Sequence, residues 1–444
     1  MMFIKYTIPL AVGLSVSVQT QALTLQESII AASSYNAELN AARRTHDADG
    51  QKKNQGLAGL LPAISLDGSW SKTDQPNAAY SAGVTRHNYS VNLTQPVFDM
   101  SKYATWRKSI VISDLADVNL LIAQQKLISD VTTAFYGVLY QRSVLETSQR
   151  ILNAFEAKLK QSKKALEVGD GTRLDEAEAQ ANYDKSVADE LAAENELNDA
   201  NVTFRQLTGM DPQGISDDSL ACISFREKMS SEKLKRDAAA NNLDVQAAIQ
   251  TRKASEADIL MATSSHTPVI SFQAGYGKNW SRAEDGNYLD TLFGTTSKTA
   301  NTQISVNISV PLFAGGGQIS QSLEAAHRYE QNKDLVIDAR RKAEQQAIQA
   351  ASAVQTSQSR IKAYEQAIKS AYKRLTATRY GREIGQRTLI DEFNAEKDYF
   401  QAVQDLAQAR NSLITSIVKL KAATGTLDYA GMKQFSCGSA TSGI

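Results

Sequence analysis

Four stretches of the chain, two in each half, alternate strictly between apolar and small polar residues. This period-two pattern predicts β-strands with one apolar face and one polar face. Segments of about ten residues with this alternation are typical of transmembrane β-barrel strands, although a half-buried sheet of a soluble protein has the same pattern. Polar loops at about 72–85 and 281–300 are expected to join the paired strands. The apolar members are Ile64, Leu66 and Trp70; Tyr89, Val91 and Leu93; Ile270, Phe272, Ala274 and Tyr276; and Ile304, Val306, Ile308 and Val310.

The segments between the strand pairs predict helices far longer than those of a compact domain. From Ser101 to Val168 the chain has no proline and only one glycine, Gly137, and Ile319–Glu383 is its counterpart. Each helix would be about 100 Å long and must pack sideways against other helices, because it cannot fold back into a globular core. Shorter helices are predicted at 25–55, 174–207, 231–263 and 390–423. Apolar residues recur at heptad spacing along the first long helix, at Val131, Val138, Leu145, Leu152, Leu159 and Leu166.

The chain contains two copies of one unit, with a period of about 215 residues. Matching short motifs occur in the same order in both copies. For example, Gly169, Thr172 and Asp175 correspond to Gly385, Thr388 and Asp391. Each copy is predicted to contain a helix, a strand pair and a long helical hairpin. The predicted divisions are a signal peptide at 1–22; a first repeat at 23–226, with strands at about 61–98 and a hairpin tip near 169–175; a second repeat at 227–425, with strands at about 267–313 and a tip near 385–391; and a C-terminal tail at 426–444.

The N-terminus predicts export from the cytoplasm. Lys5 precedes an apolar run from Ile8 to Val18, and small residues at Thr20–Ala22 provide a cleavage site. No later stretch approaches the apolar length that a transmembrane helix needs, so any membrane crossing is expected to use strands. Cys222 and Cys437 are the two cysteines of the chain. An oxidising compartment permits one disulfide between them, but the sequence leaves two free thiols equally open.

Composition argues against several classes of function. Lys plus Arg and Asp plus Glu each number 48, so there is no basic excess that would favour nucleic acid. The four histidines, at 46, 87, 266 and 327, have no metal-ligand spacing. No nucleophile–base arrangement suggests catalysis, so we expect neither an enzyme nor a cofactor.

Four barrel strands per chain are too few to enclose a lumen. An open sheet edge in lipid leaves backbone groups unsatisfied at several kcal/mol each, so identical neighbours must close the edges. Eight strands from a dimer leave an interior filled by side chains, whereas about twelve from a trimer leave a channel. The predicted fold class is therefore mainly α with β-barrel strands: a long coiled α-helical barrel and a 12-stranded transmembrane β-barrel completed by a homotrimer.

Four motifs of the chain point to one known family: Gln95–Asp99, Val310–Gly316, Val168–Gly169 with Thr172 and Asp175, and Ile384–Asp391 followed by Asn394–Glu396. Through these motifs the sequence resembles the TolC family of outer-membrane efflux and type I secretion channels over essentially the whole mature chain. The resemblance implies a passive duct in the outer membrane with a long periplasmic extension, docked to a periplasmic adaptor and to an inner-membrane pump of the RND, ABC or MFS type.

Both hairpin tips have a physical interpretation that is independent of the family. Gly169 and Gly385 can end long helices in the left-handed conformation, and Thr172 and Thr388 can cap the returning helices. The resemblance adds that the tips contact the adaptor and line a periplasmic gate. The implied adaptor-contact residues are Gly169, Asp170, Thr172, Leu174, Gly385, Thr388 and Ile390.

The resemblance also implies a gate formed by Asp175, Arg387, Asp391 and Asn394. Asp175 and Arg387 would be linked, and three copies of Asp391 would form a ring at the pore. Asn394 stands where the family has a second pore aspartate, and Arg382 where it has a linking tyrosine. The second ring would thus be uncharged, and the closing contacts would be built differently.

The predicted function is an outer-membrane exit duct for drug efflux, type I protein secretion or both. The alternative is a periplasmic adaptor with long helical hairpins, against which the duplicated strand pairs argue. A periplasmic hydrolase is a more remote possibility, since no catalytic arrangement is present.

Overall fold

The computed structural model describes residues 23–74, 83–216, 230–284, 288–292 and 296–429. The predicted signal peptide, Cys222, Cys437 and most of the predicted tail therefore lie outside the described residues. Within them the helices are α1 (Leu25–Tyr35), α2 (Ala37–Ala58), α3 (Met100–Glu167), α4 (Arg173–Thr208), α5 (Ser231–Asn241), α6 (Leu243–Thr263), α7 (Tyr288–Leu292), α8 (Gly317–Glu383) and α9 (Leu389–Ala423).

The strands form one antiparallel sheet in the order β1–β2–β3–β4. They are β1 (Ala63–Asp74), β2 (Gly83–Phe98), β3 (Val269–Ala283) and β4 (Ser297–Ser309). Both strand pairs extend further toward their connecting turns than the sequence predicted, and α7 occupies part of the second predicted loop. Val310, expected in the last strand, lies just beyond β4, where Pro311 cannot donate to a ladder.

The register gives the sheet two chemically different faces. Direct partners in an antiparallel ladder point to the same side. We call a row of directly paired residues across the four strands a rung. Apolar rungs such as Ile64–Leu93–Ala274–Ile304 alternate with polar rungs such as Ser65–Asn92–Gly275–Gln303. Leu66 is 78% exposed and Ile304 is 71% exposed, so no part of the protomer that the structure describes covers the apolar face. The alternation predicted from the sequence is confirmed, and its burial requires something outside the chain.

The helices form a single layer four columns wide. The long helices α3 and α8 have 68 and 67 residues and span about 100 Å each. α2 and α4 pack along α3 at its two ends, and α6 and α9 lie between α3 and α8. The column of α2 and α4 is one edge of the layer and α8 is the other. Sheet and helical layer therefore each have four members side by side, and both are open at their edges.

Each predicted N-terminal helix is in fact two helices. The predicted helix at 25–55 breaks at Asn36, and the predicted helix at 231–263 breaks at Asn242. Both asparagines have extended ψ angles, of 119° and 130°, and each caps the next helix through its side chain. The amide of Asn242 also donates to the carbonyl of Ala423 at 3.1 Å. The break occurs because asparagine competes well for the cap position.

Two glycines with positive φ give a matched test of packing at helix ends. Gly425 has a φ of 67°, and a Cβ placed there would lie 2.1 Å from the carbonyl oxygen of Asn241. Gly169 has a φ of 86°, but a Cβ there would meet nothing within 4 Å. We expect Gly169→Ala to cost about 1 kcal/mol of backbone strain. Gly425→Ala should cost about 1–3 kcal/mol more, because α5 must move.

Thermal unfolding of both purified variants measures this difference. Equal losses in the two variants would contradict the predicted contact between Gly425 and Asn241.

Candidate functional site

The two hairpin tips have the same local structure. α3 ends before Gly169 and α8 ends before Gly385, and both glycines are left-handed, with φ of 86° and 74°. The N–H of Asp170 then donates to the carbonyl of Ala165 at 2.9 Å, as the N–H of Gln386 donates to that of Gly381 at 2.8 Å. These bonds satisfy carbonyls that a helix end leaves open. The predicted glycine caps are confirmed.

A threonine and an aspartate cap the N-terminus of each returning helix. The hydroxyl of Thr172 accepts from the N–H of Asp175 at 3.1 Å and donates to its carboxylate at 2.7 Å. Thr388 and Asp391 make the same two bonds at 3.3 and 2.9 Å. The sequence predicted the threonine caps and the acidic first turns. The structure adds that each pair forms a reciprocal capping box, with the aspartate in the place of the usual glutamate.

This capping changes the acid–base behaviour of Asp391. Hydrogen bonds from the backbone N–H and hydroxyl of Thr388 hold the pKa of Asp391 below its ordinary value, and the charges of Arg387 and Arg374 act in the same direction. Because the pKa of Asp391 is lower in the folded state than in the unfolded state, its ionisation stabilises the fold at pH values above the ordinary pKa of aspartate. That contribution is lost as the pH falls through the lowered value. Asp391 is therefore ionised throughout the neutral range.

Arg387 lies against α8. Its N–H donates to the carbonyl of Gly381 at 3.1 Å, and its Cγ would be 2.8 Å from a Cβ placed on Gly381. Asp175 begins α4, on the opposite edge of the helical layer. Within the described part of the protomer no ion pair joins these two residues. A link between Asp175 and Arg387 remains a prediction, and it would have to form between protomers.

The tips expose apolar side chains around these polar caps. Leu174 is 66% exposed, and Ile390 also lies at the surface. Asn394 faces a groove of about 480 Å³ between α3, α4 and α9, whose apolar lining includes Ile151, Phe155 and Ile390. The predicted gate and adaptor contacts of all these residues stay predictions, because they concern other chains.

A buried charge cluster that the sequence analysis missed lies one to two turns from the tip. Glu392 and Glu396 of α9 are 3% and 2% exposed. Lys158 of α3 pairs with both carboxylates, lying 3.2 Å from Glu392. Arg379 of α8 lies 3.4 Å from Glu392 and 2.8 Å from Glu396. Three helices are thereby joined by one set of charges.

Arg382, which replaces the expected tyrosine, completes this cluster. Its guanidinium forms an ion pair with Glu392. The cluster thus contains three cations, Lys158, Arg379 and Arg382, and two carboxylates. The ammonium of Lys158 also lies 4.8 Å from the ring centroid of Phe393, which packs edge-on against Phe155 with ring centroids 5.1 Å apart. Arg382 therefore makes its ion pair within the protomer, and the differently built gate contacts stay a prediction.

The sequence did contain a signal for this cluster. Glu392 and Glu396 are four residues apart, so they share a helix face with neighbours that are buried. Acidic residues are almost never buried unless paired, so their position beside Phe393 and Ala395 calls for basic partners. The partners themselves come from helices distant in sequence, and only the packing identifies them.

No group of three or more histidine, cysteine, aspartate or glutamate residues suited to a metal ion occurs in the described residues. Among the described helices, none combines the length and the hydrophobicity that a membrane crossing requires.

Comparison with known proteins places the whole chain among outer-membrane channels. The sequence model of a family described as "Outer membrane efflux protein" matches residues 29–210 and 234–426. Outer membrane protein TolC of Escherichia coli is 27% identical, over 96% of this chain and 87% of its own. The alkaline protease secretion protein AprF of Pseudomonas aeruginosa is 26% identical, over 89% of this chain and 83% of its own.

The fold has close counterparts among solved structures. The CmeC outer membrane channel of Campylobacter jejuni superimposes with a TM-score of 0.78 at 16% identity, over 93% of this chain and 89% of its own. This likeness confirms the predicted fold class of long helices with four strands per chain.

The buried cluster predicts an asymmetry between acidic and basic substitutions. Glu396→Gln leaves three cations facing one carboxylate and should destabilise the packing of α9 by about 3 kcal/mol, whereas Lys158→Met leaves a balanced set and keeps the packing of the stem. We expect Lys158→Met to reduce the stability of the α9 packing clearly less than Glu396→Gln does. Hydrogen exchange of the backbone amides of α9 measures both effects.

Lys160→Met is the matched control, since Lys160 is an exposed residue of the same helix that pairs with Glu156 at 2.7 Å. It should leave the exchange of α9 unchanged. If Lys158→Met reduced the protection of the α9 amides more than Glu396→Gln, the idea that surplus positive charge decides the stability of the cluster would be wrong.

Proposed function

The chain belongs to the outer membrane efflux protein family, and from this membership we propose that it forms the passive exit duct of a trimeric export machine. It is an outer-membrane channel protein, and the adaptor alternative is set aside because the family match extends over both halves. The observation that carries the proposal is the sheet itself, which has an exposed apolar face, a polar face and two open edges. The duct carries no catalytic activity of its own.

The trimer follows from the need to close these edges. Joining β4 of one protomer to β1 of the next satisfies the backbone groups that lipid cannot. Twelve strands place the polar rungs around a water-filled lumen. Closing the trimer also brings α8 of one protomer against the column of α2 and α4 of the next. The helical tube then continues the barrel, and the two halves of the chain, 23–226 and 227–425, act as structural repeats within it.

The tips are the proposed docking and gating end of the duct. Leu174 and Ile390 supply apolar surface for the helical hairpin of an adaptor, beside the caps at Thr172 and Thr388. In this proposal an inner-membrane pump of the RND, ABC or MFS type supplies the energy for transport. The ionised ring of Asp391 favours cations at the entrance, while the ring of Asn394 is neutral.

Small toxic molecules are the first proposed cargo, because the family name denotes efflux. Polypeptide secretion is the second candidate, and the similarity to AprF favours it. We expect deletion of the gene to raise the susceptibility of the cell to toxic compounds severalfold. Growth inhibition assays and protein content of the culture medium distinguish the two cargoes. Unchanged susceptibility together with unchanged secretion would overturn the proposed function.

A disulfide trap tests the gate. Asp175→Cys with Arg387→Cys, in a background with Cys222→Ser and Cys437→Ser, should yield covalent trimers on mild oxidation, because α4 and α8 are opposite edges of each protomer. Each single cysteine variant is the control and should give none. Oxidised channels should also conduct less in planar bilayers than reduced ones, since the link holds the entrance closed. Monomers that cross-link internally would show that the edges are assigned wrongly.

A further inference from the structure

The apolar face of the sheet changes character toward the turns between strands. One rung consists of Trp70, His87, Trp280 and Lys298, with the rings of His87 and Trp280 stacked at 4.8 Å. Lys278 follows on one side of this rung, and Arg282 on the other. All three cations are exposed and lie on the same face as the apolar rungs. We name Lys278, Arg282 and Lys298 the outer basic cluster.

The three cations are close enough to share one anion. Lys298 is directly opposite Trp280, so it is the diagonal neighbour of both Lys278 and Arg282. Diagonal neighbours in an antiparallel pair are about 7–8 Å apart, within reach of long side chains. The indole of Trp280 lies between them. This arrangement is more compact than cations scattered along a strand.

The height of the cluster matches the edge of a membrane. The apolar face begins at the rung of Ile270 and Ile308. Ten residues separate Ile270 from Trp280, which corresponds to about 25 Å along the normal for strands tilted by roughly 40°. This is the height of the apolar band of an outer-membrane barrel, and aromatic residues mark its edge. The helices leave the sheet at the Ile270 end, so the cluster lies at the opposite, extracellular edge.

The nearest described carboxylate is already paired with another cation. Lys72, on the adjacent part of the same face, forms an ion pair with Glu284. Glu284 is held there by its N–H, which donates to the carbonyl of Gly83 at 2.9 Å. No ion pair involves Lys278, Arg282 or Lys298 among the described residues. A cationic patch at the lipid-facing edge of a barrel is therefore suited to anionic groups of the membrane.

We propose that the outer basic cluster binds the phosphate groups of an anionic glycolipid in the outer leaflet, with Trp280 packed beside the sugar–acyl boundary. The proposal rests on the proposed barrel orientation and adds to it a lipid site of defined chemistry. Arginine and lysine hydrogen bond to phosphate oxygens, and their stems extend along the apolar surface. The lipid would hold the three protomers in a common annulus.

The test measures binding of diphosphoryl lipid A to the purified trimer by native mass spectrometry. Each cation near a membrane surface contributes about fivefold, so Lys278→Gln, Arg282→Gln and Lys298→Gln together should weaken binding about a hundredfold. The conservative set Lys278→Arg, Arg282→Lys and Lys298→Arg should retain it. Lys362→Gln, Lys369→Gln and Lys373→Gln on α8 remove the same charge elsewhere and should change binding less than about twofold.

Three outcomes would overturn the proposal. Equal binding of lipid A and its phosphate-free analogue would mean that only the acyl chains are recognised. Equal losses in the two glutamine sets would mean that total charge decides. Loss of the trimer without loss of lipid binding would make the cluster a subunit contact. Channel conductance of the wild-type trimer, recorded separately, tests the duct itself, so failure of the duct is distinguishable from failure of the lipid site.

Discussion

The constraint on which the structure depends is the hydrogen bonding of β1 and β4 at the edges of the sheet. The outward-facing backbone groups on these edges have no partner among the described residues of the protomer, and hydrocarbon offers none. A soluble protein could leave such edges in water, but the exposed apolar face makes water equally unfavourable. Both problems have one solution, which is to repeat the protomer around an axis. The helical layer has the same number of members as the sheet because each strand pair leads directly into its helices.

A different interaction fixes the other end of the molecule. Part of the contact between the long helices is made through small residues such as Ala343 and Ala347, whose uniform side chains distinguish poorly between alternative registers. Buried charges select one helix register more strongly, because a register that left the carboxylate of Glu392 or Glu396 unpaired would cost several kcal/mol. The cluster around Lys158 thus sets the relative positions of α3, α8 and α9 near the tip. The exposed caps can then adjust without disturbing the layer.

The excess positive charge of that cluster has a counterpart outside it. Three cations face two carboxylates beside a tip that carries the ionised Asp391. The surplus charge lies on Arg379 and Arg382 of α8, the edge helix. The edge of the protomer near the tip therefore carries this basic surplus.

Residues close together along the chain were enough to predict the local structure. Strict alternation predicted the strands and their faces, heptads and the lack of glycine predicted the long helices, and Gly-x-x-Thr spacing predicted the tips, because each depends on residues near in sequence. The helix prediction failed at Asn36 and Asn242, where an amide cap outweighed a continuous helical pattern. The partners of Glu392 and Glu396, and the cations that lie around Trp280, became known only from the folded arrangement. These depend on register and crossing between distant segments, which local patterns do not encode.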